Sequence, residues 1–215
     1  LFLCPNAMKA SHRSKVRDAI WEMGEGQKPP QEEFAKKWCE NARLLDERGL
    51  DPYAVWIARC REKKISPWLS MRMNDVHNVD DVDNYIHSSF WRKHPAYWRV
   101  PGGKGWTDRA LDYGIPEVRE HAMAYVRELL ERYDPDGLEL DWMRFGYHFR
   151  PGKEAEGVKI GKTAVHLLHF HSPPALRKKT GIQPFLDQGQ QHRQAKPGLQ
   201  RNENFFFLQT PKTDG

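Results

Sequence analysis

Apolar and polar positions alternate along this chain with two periods in turn. Leu1-Phe2-Leu3-Cys4, closed by Pro5-Asn6, has the texture of the end of a buried strand. Ala7 to Gln31 is polar, carries Gly and Pro, and is too long for a plain connection, as loops with functional roles are. From Glu32, Phe34, Trp38, Ala42 and Leu45 recur at helical spacing up to Arg48-Gly49, where glycine supplies the stop. Pro52 to about Lys63 predicts a second helix burying Val55, Trp56 and Ala58 to Cys60, and Ile65 to Met73 alternates as a strand. Asp75 to Thr107 is another long loop, crowded with aromatic residues. Pro116 opens a helix, with Glu117 near its positive end. Val118, Ala122, Tyr125, Val126, Leu129 and Leu130 share one face of it up to Tyr133. Asp134-Pro135-Asp136-Gly137 turns the chain into a strand from Leu138 to Met143. Long loops after strands and tight turns after helices predict an α/β fold, a parallel sheet covered by helices.

At 215 residues the chain suits one globular domain rather than two. A mean hydropathy of −0.82 and the absence of a long apolar run exclude a membrane-spanning helix. The formal charge of +5 is concentrated at the carboxyl end. Residues 161–215 hold eight Lys and Arg against three Asp and Glu, while the 26 basic and 26 acidic residues of 1–160 balance. That basic, Gln- and Pro-rich stretch has no sustained apolar period after about Leu168 and is expected to be a poorly ordered or non-native tail following a domain at 1–160. Aromatic residues enter it only at Phe205 to Phe207, so nucleic acid is not the expected partner. Cys4, Cys39 and Cys60 form an odd, widely spaced trio without CxxC, which argues for free buried thiols over disulfides or a zinc site. The chain opens on Leu with no signal-peptide pattern, so it is expected to begin inside a longer product, with an exported or periplasmic location left open.

The candidate chemistry lies on the last strand. Its period of two sends Leu138, Leu140 and Trp142 to one face and Glu139, Asp141 and Met143 to the other. Paired carboxylates on a parallel strand are costly unless they face a polar cavity or an ion-pair network, here with Arg72 and Arg144. On the preceding strand Ser70, Arg72 and Asn74 crowd one face, with Asp75 and His77 following. In β/α barrels this carboxyl end is where ligands bind. Asp75, His77, Asp80, Asp81 and His87 match no tight metal-ligand spacing, and neither metal nor cofactor is expected.

Leu111-Asp112-Tyr113-Gly114-Ile115-Pro116-Glu117-Val118-Arg119, the helix end Tyr133-Asp134 and Asp136-Gly137-Leu138-Glu139-Leu140-Asp141-Trp142-Met143-Arg144 resemble bacterial glycoside-hydrolase-like barrel proteins. In that family a Pro-Glu-Val-Arg helix leads through a Tyr-Asp-x-Asp-Gly turn into a strand ending Asp-x-x-Arg. The resemblance covers about residues 50–150 and implies a TIM-type (β/α)8 barrel acting on glycosidic bonds. It aligns Asp141 with the aspartate nucleophile of the related α-amylase-type barrels. Arg72 to His77 is loosely similar to a sugar-binding strand end. Those enzymes carry the acid/base on a later strand, and a whole barrel needs ~250 residues, so a partial barrel is expected.

Glycosidase chemistry needs one carboxylic acid and one carboxylate. Asp141 is the expected nucleophile or charge stabiliser, with Glu139 deeper on the same face, ~6.5 to 7 Å along the strand. Arg72, Asn74, Asp75, His77, Asp112, Arg144 and His148 are expected around an oligo- or polysaccharide. Trp91, Trp98 and Trp106 would either form a sugar platform or pin the long loop. The alternative is a carbohydrate-binding or scaffold barrel without chemistry.

Overall fold

Three short strands lie parallel and in chain order, so each return from strand to strand crosses through helix. The computed structural model describes residues 1–142, 147–153 and 206–209 of the chain. β1 (Phe2–Leu3) is followed by a long loop, α1 (Glu33–Glu47) and α2 (Pro52–Glu62), which lead to β2 (Trp68–Arg72). A second long loop containing the short α3 (Ser89–Lys93) precedes α4 (Pro116–Tyr133) and β3 (Gly137–Asp141). β4 (Phe206–Gln209) adds antiparallel to β3, within the stretch expected to be poorly ordered; the remainder of that stretch lies outside the described residues.

The register places Trp68 beside Gly137 and Arg72 beside Asp141. Leu69, Met71, Leu138 and Leu140 point together into a core with Val118, Ala122, Tyr125 and Leu129 of α4 and Tyr53 and Ile57 of α2. Positions 118, 122, 125 and 129 form one helical stripe, which is why α4 lies flat on that face. α4 ends as Asp134 takes a left-handed conformation (φ 44°) and donates its N–H to the Leu130 carbonyl. Gly137 then opens β3 where the Trp68 ring lies so close that a Cβ would sit 2.6 Å from it.

The inward faces of α1 and α2 differ from expectation. α2 buries Tyr53, Ile57 and Cys60, while Val55 and Trp56 are exposed. The 53, 57, 60 spacing, not the run of apolar letters, faces the sheet. α1 buries Ala35 and Cys39, and Phe34 is 76% exposed. Cys39 and Cys60 are buried free thiols, but Cys4 is exposed.

The long loops have a core of their own. Met8 and Ile20 from the first, Val76, Ile86, Trp91 and Trp98 from the second, and Cys39 of α1 pack as one cluster. Lys9 is buried there, its ammonium donating to the Glu22 carbonyl (2.5 Å) and Gln27 Oε1 (3.1 Å). Burial outweighs the nearby Asp18 charge and pushes its pKa down to about 8.

Candidate active site

The face of β2 and β3 turned away from α4 carries Trp68, Ser70, Arg72, Glu139 and Asp141, all half-buried. Strand alternation puts them there, interleaved with Leu69, Met71, Met73, Leu138 and Leu140 of the apolar core. Glu139 and Asp141 therefore share the polar face, and Arg72 is the register partner of Asp141 at the carboxyl end of the strands. The Asp141 carbonyl accepts the Met73 N–H at 3.0 Å, continuing the pairing past the end of β2.

Asp75, with its side chain almost wholly enclosed, bridges Arg72 and His77. Arg72 Nη1 donates to Oδ2 at 3.0 Å, and His77 Nε2 lies 2.9 Å from Oδ1. Burial alone would raise its pKa, but the His77 hydrogen bond and charge and the Arg72 charge outweigh it and hold the carboxyl below the usual range. Asp75 is thus an ionised anchor that orients Arg72 and His77, not a proton donor. For Arg72, the charges of Cys4, Asp75 and Asp141 outweigh desolvation and raise its pKa. Cys4 follows β1 beside this group. Its thiol donates to the Asn6 carbonyl at 3.2 Å, and although the residue is exposed, desolvation of the sulfur pushes its pKa up against the pull of Arg72. Cys4, expected as a buried free thiol, stands exposed at the strand ends, just after β1.

His148 comes back to the end of β3. Its Nε2 donates to the Trp142 carbonyl at 2.8 Å and its ring packs edge-on to Trp142, while Nδ1 is enclosed without a partner among the described residues. Burial, helped by Arg99, pushes its pKa down to about 4 against the Trp142 carbonyl and Asp141, so the ring is neutral at neutral pH.

The geometry commits several of the residues expected around a sugar to other partners. Asn74 is buried, and its amide is spent between loops: Nδ2 donates to the Leu111 and Tyr147 carbonyls and Oδ1 accepts the Leu111 N–H. Asp112 is buried, accepting the Gly114 N–H and pairing with Arg150 at 2.9 Å. Trp91 and Trp98 stack on each other inside the loop core, with centroids 4.7 Å apart, so they pin the loop and offer no platform. Each indole N–H donates to a backbone carbonyl, which removes any cost of burying them. Trp106 is half exposed on a 3-10 turn that Arg99 ties, through the Thr107 and Phe149 carbonyls, to the segment carrying His148. Arg144 lies outside the described residues.

Of the five residues weighed for a metal, Asp75 and His77 remain in contact. Asp81 pairs with Lys28, and both ring nitrogens of His87 meet backbone carbonyls. Among the described residues no group of three or more His, Cys, Asp or Glu side chains is placed to hold a metal, and no helix is long and apolar enough to cross a membrane. An open cleft of about 490 Å³ lies elsewhere, between Trp21, Pro29, Pro30 and the Cys39 face of α1, and none of the expected site residues lines it.

No protein-family model matches the chain, and no curated protein matches it.

Proposed function

We propose that this chain carries part of a TIM-type β/α barrel of glycoside-hydrolase type, which hydrolyses O-glycosidic bonds of an oligo- or polysaccharide with Asp141 as nucleophile or charge stabiliser. The unreversed order β1-β2-β3, with α4 packed on one face only, supports the barrel reading. The observation that carries the functional reading is the position of Asp141. It stands at the carboxyl end of β3, beside Arg72 and on the face that the helices leave uncovered. A carboxylate there meets a substrate from the strand ends, and Arg72, held by Asp75, balances its charge before substrate arrives. Glu139, one pleat deeper on the same face, is the described carboxyl nearest in register and the assigned proton donor.

The test is release of reducing ends from a panel of α- and β-linked oligosaccharides and polysaccharides by the wild-type chain and Asp141→Asn. A loss of at least about 100-fold in rate with unchanged folding is expected, and full retention of rate by Asp141→Asn rejects the role. A binding-only reading draws on the same Arg72–Asp141 neighbourhood, which is already neutralised without a ligand. Sugar binding by calorimetry with no bond cleavage would favour that reading.

A further inference from the structure

The cleft beside α1, about 490 Å³, falls in the range of small-molecule sites, roughly 300 to 1,000 Å³. One wall is a stripe of α1, where Lys36, Glu40 and Arg43 recur at helical spacing over the buried Cys39. The other wall is Trp21 with Pro29, Pro30 and Gln31, and each part of it is fixed by contacts of its own. The Arg13 guanidinium lies 5.3 Å over the Trp21 ring and pairs with Glu22 (2.5 Å) and with Asp46 of α1 (2.6 Å), so one arginine ties the indole to the helix opposite. Lys28, just before the prolines, donates its N–H to the Asp83 carbonyl and its ammonium to Asp81, both at 2.7 Å. Two successive prolines then leave the backbone little freedom. The walls stand in place before any ligand arrives, which lowers the entropy cost of binding.

The groups on those walls are of both hydrogen-bonding kinds and nearly balanced in charge. Arg43 is matched by Glu47, one turn further along α1. Lys36 and Glu40 carry opposite charges, and neither has an ion-pair partner among the described residues. Gln31 donates its Nε2 to the Pro29 carbonyl at 2.9 Å, which leaves Oε1 to accept. The indole N–H groups of Trp68, Trp91 and Trp98 all meet protein oxygens, whereas that of the half-buried Trp21 meets none among the described residues. An anion would be drawn by Lys36 and repelled by Glu40, and a cation the reverse. A wholly apolar ligand would strip water from both charges and return no hydrogen bond. A neutral ring bearing hydroxyls meets every demand: its C–H face lies on indole and proline, and each hydroxyl both donates and accepts.

We propose that this cleft is a second, non-catalytic binding site for a neutral oligo- or polysaccharide, with Trp21 as the stacking surface and Gln31, Lys36 and Glu40 as hydroxyl partners. Equating that sugar with the substrate of Asp141 rests on the proposed glycosidase reading; the binding itself does not. No residue of the strand ends lines the cleft, so the two sites share no side chain. A polymer anchored in the cleft is presented to the strand ends at raised effective concentration.

Titration of the full chain with maltohexaose, cellohexaose and mannohexaose, followed by the Trp21 indole N–H resonance, tests this. At least one of the three is expected to shift that resonance saturably. Glu40→Ala and Gln31→Ala, both at exposed positions, are expected to weaken the response at least about threefold each, and Asp141→Asn to leave it unchanged. Trp21→Ala is expected to lower affinity by calorimetry at least about tenfold; if it does not fold, the two exposed variants decide the question. No shift with any of the three sugars, an unchanged response in Glu40→Ala and Gln31→Ala, or a response lost in Asp141→Asn overturns the cleft site. Release of reducing ends without a Trp21 response overturns this site while the Asp141 reading stands, and a Trp21 response without hydrolysis supports this site while the Asp141 reading falls.

Discussion

The two faces of β2 and β3 are built from neighbouring residues of the same ten positions, yet they do opposite work. Toward α4, Leu69, Met71, Leu138 and Leu140 are at most 7% exposed and meet a continuous helical stripe. On the other side Ser70, Arg72, Glu139 and Asp141 keep contact with solvent and with one another's charge. One face obtains its stability from exclusion of water, about 1.5 to 3 kcal/mol for each large side chain. Charged groups on the other would lose several kcal/mol if the same exclusion were imposed on them. The pleat divides an apolar core face from a charged one here.

Substitutions that should respect that division test it most directly. Leu138→Ala, at a fully buried position, is expected to cost about 3 kcal/mol in urea unfolding. Asp141→Asn, one pleat from Leu140, should change stability by under about 1 kcal/mol while removing the proposed glycosidase activity; equal destabilisation by both would erase the distinction between faces.

Acid titration probes the helix side in another way. His12 is 2% exposed and sits in a cage of Tyr53, Tyr125 and Tyr133. The nearby Pro5 carbonyl is already taken by the Ser11 N–H and the Tyr125 hydroxyl, and neither ring nitrogen makes a hydrogen bond of normal geometry. Burial, with Arg132, pushes its pKa down to about 4. The folded pKa lies below the unfolded value of 6.5, so folding favours the neutral ring. Its contribution is complete above pH 6.5 and is lost as pH falls toward about 4, by about 3 kcal/mol at most. His12→Phe should flatten the stability profile in that window, measured by urea midpoints from pH 7 to 4. An unchanged slope would place the titration elsewhere.

Smaller effects sharpen the picture at the strand ends. Asn74→Ala is expected to cost about 1 to 3 kcal/mol by leaving the Leu111 backbone unpaired, and proteolysis of the 75–112 loop would report it. Trp106→Ala should alter stability by no more than about 0.5 kcal/mol. Any larger consequence of that change should therefore appear in sugar affinity alone.

The sheet-forming half of this arrangement was legible in the sequence because it follows from period. Pro116 to Tyr133, the turn through Gly137, and the split of Leu138 and Leu140 from Glu139 and Asp141 all emerge from local spacing. The loops resisted the same reading. Trp91 and Trp98 look like exposed aromatics because nothing around them is periodic, yet long-range packing against Ile20 and Cys39 buries them. Asn74 looks like a ligand-binding amide until the Leu111 strand of loop is laid against it, 37 residues away in the chain.

Trp68 stands across from Gly137, with Phe2 5.6 Å away. The indole gives the acidic strip a floor at the amino ends of the strands. On the proposed glycosidase reading, a polymer threaded lengthwise down the strip would run into that ring, and the ring would favour attack within a chain over trimming from an end.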